Sequence, residues 1–152
     1  MLFQILLYVF VILVIAAAGP SATYAIWIQR AMANREALPF TLRSIKSING
    51  RVVIPATVLL LIVGIGIVIA EGLSFQTPWI LLSLILWLAN IVLGIFGYTP
   101  TLSKQIGFAE SSGADSAEYK AAAWRGTIIG IILGLIMLVV IYLMMFQPSL
   151  WG

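Results

Sequence analysis

The chain has 152 residues, of which 62% are hydrophobic and only 9% charged, with a mean hydropathy of +1.15. A water-soluble fold of this size leaves too much of itself facing water to hide that apolar area, so hydrocarbon must be its main solvent. The net charge of +3 comes from eight Lys and Arg set between apolar runs, which suits a membrane surface and leaves no case for a nucleic-acid partner.

A crossing helix takes roughly 20 mostly apolar residues at about 1.5 Å each. The charge-free run Met1 to Gln29 predicts the first, over about 2–29. Its Ala16-Ala17-Ala18 stretch resembles a peptidase site, but no positive charge precedes the run and hydrophobicity continues to Trp27, so a retained helix is expected. Pro20 lies within it, beside Ser21, Thr23 and Tyr24, and marks the expected irregular point. A basic loop follows, with Arg30, Arg35, Arg43, Lys46 and Arg51 against Glu36. Pro39 and Thr41 there open a helical lead-in, so the second helix is expected over about 45–70, with Pro55 near its start.

Gln76-Thr77-Pro78 reads as a tight turn, with Pro78 opening a third helix over about 78–102. Residues 103–116 read as a cytoplasmic loop, flexible at Ser111 to Asp115. Asp115 and Glu118 resemble a capping box before a fourth helix at about 117–147. The expected fold is therefore all-α: a single polytopic membrane domain, a four-helix bundle. The loops holding Lys and Arg should face the cytoplasm, leaving both termini outside, in a bacterial inner membrane. Trp27 and Trp124 then fall near one interface and Trp79 and Trp151 near the other. With Arg30, Arg51 and Arg125 they are the expected interfacial anchors.

Few residues carry chemistry. The absence of Cys and His removes disulfides, thiolate clusters, covalently attached c-type haem, histidine-ligated haem and the usual zinc and copper sites. Met137, Met144 and Met145 are scattered and read as packing. The sequence thus requires no cofactor and offers no metal site. Gly126, Gly130 and Gly134 recur every four residues along one face of the fourth helix; Gly64, Gly94 and Gly97 sit on the second and third. Such faces let helix backbones approach closely and read as packing surface, with a groove for a lipid tail, carotenoid or pigment ring as the sharper alternative. Asn90 should lie near mid-membrane and needs a partner on another helix or subunit.

The runs FVILVIAAAGPSATYAIW and RVVIPATVLLLIVGIGI, and a Trp-containing third span ending in Tyr98-Thr99-Pro100, resemble a domain-of-unknown-function family of bacterial integral membrane proteins across nearly the whole length. That family is distantly similar to copper-resistance-type membrane proteins, and members of both often carry a histidine early in the first helix. Here the region reads Leu6-Leu7-Tyr8-Val9, which argues against a metal or haem role. The resemblance implies a membrane bundle and no particular reaction.

These features fit three functions to different degrees. A non-catalytic subunit packing against a larger membrane complex, respiratory or photosynthetic, fits the glycine face and the lack of buried charge. Its partners would be lipids and other subunits or copies of itself. A small oligomeric transporter or channel for a neutral or hydrophobic solute is motivated by Pro20, Pro55 and the Ser21-Thr23-Tyr24 cluster. An enzyme is not expected, because Tyr8 and Tyr142 are the nearest thing to a converging pair.

Overall fold

The computed structural model describes residues 1–150, so Trp151 lies outside the described residues. Six α-helices follow in order: α1 (Leu2–Ala33), α2 (Leu38–Ile48), α3 (Ile54–Ala70), α4 (Pro78–Val92), α5 (Thr99–Ser111) and α6 (Ala117–Phe146). A single 3-10 turn, Arg35–Ala37, precedes α2, and wider π-helical turns at Asn49–Val53 and Leu93–Tyr98 join α2 to α3 and α4 to α5. The chain therefore makes four long rods, each able to cross a membrane: Leu2–Ala33, Arg35–Ala70, Pro78–Ser111 and Ala117–Phe146. It is an all-α membrane bundle. Between 6% and 28% of the apolar window in each rod is buried by the protein itself, so lipid must cover the remainder.

All but the last rod are longer than expected from charge-free runs. The first helix continues past Gln29 to Ala33, the second begins before residue 45, and the third passes residue 102. Most of the stretch read as a loop over 103–116 is thus the helix α5, and only Ser112–Ser116 turns. The physical reason is that a helix satisfies its own backbone hydrogen bonds in water as well as in lipid, so the hydrocarbon edge does not end it. A 32-residue rod is about 48 Å long, against about 30 Å of hydrocarbon. The excess emerges where the basic residues gather, here called the basic end. Gly113, at φ +84°, ends α5. Ser116, not Asp115, caps α6, its Oγ accepting from the Tyr119 backbone N–H at 3.2 Å.

The irregular points also fall elsewhere than expected. α1 runs unbroken through Pro20, where the Ser21 hydroxyl donates to the Ala17 carbonyl and the Thr23 hydroxyl to that of Pro20. Instead, each π turn stands just before a proline, Pro55 or Pro100. A proline ring collides with the carbonyl four residues earlier, here Arg51 or Phe96, and each lies inside a π turn. Widening the helix there removes the collision. Side chains add bonds within these turns: Thr99 gives both its N–H and its hydroxyl to the Gly94 carbonyl, and the Thr57 hydroxyl donates to that of Val53.

α1 pairs with α3 and α4 with α6, forming two antiparallel hairpins, while α2 packs on α5 at the basic end. Tyr24, Ala31, Leu38, Leu42, Ile45, Leu102, Ile106 and Tyr119 are buried in a core there. A second, smaller core around Ala17, Ala56, Leu60, Trp87 and Val140 joins the spans.

Candidate intramembrane binding site

Two hydrogen bonds at mid-depth, strengthened by hydrocarbon, fix the bundle, one between the hairpins and one within the second. Trp87 Nε1 donates to the Thr57 carbonyl at 2.9 Å, linking α4 to α3. Asn90 Nδ2 donates to the Leu133 carbonyl at 3.0 Å, linking α4 to α6. Each contributes on the order of 1 kcal/mol in a membrane. Nearer the basic end, Gln105 Nε2 donates to the Tyr119 hydroxyl at 3.1 Å, both side chains buried.

α1 and α6 have no such link and scarcely approach each other, so the hairpins part along that side. The gap is a partly open cleft of about 640 Å³, a volume typical of small-molecule sites. Its apolar wall includes Ala18 and Ile28 of α1, Ile54 of α3, Ile91 of α4, and Met137 and Ile141 of α6. Its polar groups are Ser21, Tyr24, Asn49, Thr57, Asn90, Tyr98, Gln105 and Thr127, and no Asp, Glu, Lys or Arg lines it. The other pocket, between Trp79 and Trp87, holds only about 40 Å³, room for little more than a water molecule.

The glycines divide between two environments. Gly64 faces the Phe10 ring, Gly97 faces Ile129, and Gly126 faces Gln105 and Thr101, so these three admit neighbours. Gly94, Gly130 and Gly134 line the cleft, and a Cβ on Gly94 or Gly134 would meet nothing within 4 Å. The stripe on α6 lines the cleft throughout: Gly126 meets Gln105 and Thr101, Gly130 meets the Tyr98 ring edge, and Gly134 is bare. Trp27 and Trp124 project from the bundle, Trp79 is half-buried, and Arg30, Arg51 and Arg125 are exposed. Tyr8 and Tyr142 both face outward, apart from the cleft.

Sequence reasoning missed Asn49, Tyr98 and Gln105. Asn49 falls on the expected second helix, but between Lys46 and Arg51 nothing in the sequence marks it as inward, whereas the helical repeat turns it in to 6% exposure. Two acids at the basic end form ion pairs: Asp115 with Arg35 and Glu110 with Arg43. Both pairs are largely exposed, and such bridges stabilise by at most about 1 kcal/mol each.

Helices long enough to cross a bilayer, lipid-facing apolar surfaces and a cleft free of charge define a polytopic α-helical membrane protein. The family model described as "Predicted integral membrane protein (DUF2269)" matches residues 4–148, and the chain belongs to that family. No curated protein and no solved structure matches it. The family match carries no enzyme-like activity, and it lends nothing to the distant likeness to copper-resistance proteins.

Proposed function

We propose that this protein is a non-catalytic membrane component that holds an uncharged, lipid-like molecule between its two hairpins, as an accessory subunit of a larger membrane assembly. The observation that carries the reading is the uncharged cleft of about 640 Å³ along the Gly130–Gly134 wall, which is bare at Gly134. Packing alone would favour closing such a gap, since unfilled space forfeits dispersion contacts on both walls. A neutral lipid, carotenoid or pigment would restore them. The lateral parting of α1 from α6 gives such a molecule a route from the bilayer without crossing water.

The basic end faces the cytoplasm on the charge rule, which leaves both termini outside and assigns the chain to a bacterial inner membrane. The test is to purify the full chain in mild detergent and identify what stays bound by native mass spectrometry and absorption. A neutral amphiphile or pigment retained by the wild type and lost from Gly134→Leu is the expected result. Equal, bare masses for both proteins would refute it.

A second reading, movement of a neutral solute across the bilayer, is favoured by the two π turns beside Pro55 and Pro100. They flank the cleft and are natural hinges. Uptake of a neutral amphiphile by proteoliposomes, abolished by Gly134→Leu, would select it over static holding.

A further inference from the structure

We infer that Tyr24, Asn49 and Tyr98 form a head-group site in the cleft, which takes the uncharged carbonyl or hydroxyl oxygen of an amphiphile whose chain runs along Gly130 and Gly134. The inference rests on the cleft being a binding site, as proposed above, and adds the class of ligand and its orientation.

Three observations on separate helical segments meet at one level. Gly64 opposite Phe10 and Gly66 opposite Leu6 set the antiparallel register of α1 on α3, and that register carries Tyr24 to the level of Asn49. Tyr98 packs on the buried cluster that contains Tyr24, and its ring edge also approaches Gly130. All three residues line the cleft.

Their polar groups lack partners. The Tyr24 hydroxyl is buried with no hydrogen bond among the described residues. The side chains that bond across helices are Trp87, Asn90 and the Gln105–Tyr119 pair; Asn49 and Tyr98 join none of them. Asn49 is nonetheless only 6% exposed, at the opening residue of a π turn that rolls it inward. A buried group such as the Tyr24 hydroxyl is nearly always satisfied, and leaving it unpaired is costly, while Asn49 and the half-buried Tyr98 present their polar groups along the cleft. An oxygen-bearing head supplies what is missing: it accepts from a phenol or from the Asn49 amide, and a hydroxyl head also donates to the Asn49 carbonyl.

Charge sets the class of head. With no Asp, Glu, Lys or Arg in the lining, a phosphate, carboxylate or ammonium would sit uncompensated, so the head is neutral. Length sets the tail. From Thr127 to Ile141 the α6 wall runs about 21 Å, enough for a long acyl or prenyl chain. Ring quinones and neutral glycerides share this chemistry.

The test uses the full chain in detergent with two photoactivatable probes, a monoacylglycerol and a long-chain alkane, and a short-tailed quinone as competitor. The monoacylglycerol is expected to label α6 along the Gly130–Gly134 wall and to bind Tyr24→Phe/Asn49→Leu about tenfold more weakly, the equivalent of one or two net hydrogen bonds. Alkane labelling should persist in that variant, showing that it folds and keeps its cleft, and Asn49→Gln should recover part of the loss. Competition by the quinone that the double variant abolishes supports the site and names a quinone as a source. An unchanged monoacylglycerol affinity in the double variant, with labelling still blocked by Gly134→Leu, overturns the head-group site and leaves the cleft standing. Labelling by neither probe in the wild type, or cross-links from the cleft to a second copy, overturns the cleft reading itself.

Discussion

The two ends of the same helices are built on opposite terms. At the basic end, α1, α2, α5 and α6 enclose a core with Leu42 and Leu38 at 0% and 1% exposure, and ion pairs cross its rim. Deeper in the bilayer, α1 and α6 part and leave the α6 wall bare at Gly134. The difference follows from solvent. Helical excess that leaves the bilayer meets water and is driven to bury its apolar side, whereas inside the bilayer lipid tails wet apolar surfaces as well as leucine does. Tight packing is therefore enforced outside the hydrocarbon and optional within it, and an optional gap is where a ligand can be housed.

Mutations can break or sharpen this contrast. Leu42→Ala should do most damage, about 2–5 kcal/mol as expected for a fully buried leucine, read as a lowered unfolding midpoint in detergent. Equal tolerance of Leu42→Ala and of a substitution in the cleft would erase the distinction between the two regions. Gln105→Leu should follow at about 1–3 kcal/mol, because the buried Tyr119 hydroxyl loses its partner. In the same unfolding measurement Asn90→Leu should cost about 1 kcal/mol, the worth of one interhelical bond within a membrane. Gly134→Ala should run the other way and stabilise α6 by about 0.5–1 kcal/mol, since its new methyl meets open space. A destabilisation at that position would instead mean that a neighbouring helix covers the wall in the membrane. Least of all, Arg43→Ala should change stability by under about 1 kcal/mol, with the difference shrinking as salt is added.

Much of the architecture was legible from runs of residues. Four apolar stretches gave four crossing rods, Pro78 opened α4, and Pro39 lay in the first turn of α2 as the lead-in required. The cleft was only half legible. The spacing of Gly126, Gly130 and Gly134 marked one face of α6, but spacing cannot say whether a neighbour comes close to that face. Asn49 and Gln105 went unseen because counting charges ends a span at the first Lys or Arg, while the helix itself carries on with the same periodicity and keeps turning side chains inward.

What the sequence determined alone is the solvent and the class of structure. Transfer free energy is a sum over residues, and a sum needs no knowledge of neighbours. Tertiary structure alone decided which glycines are covered, which proline widens its helix, and which polar groups go unpaired. Those are properties of pairs of surfaces, set by the register of α1 on α3 and of α4 on α6, and no single helix contains them.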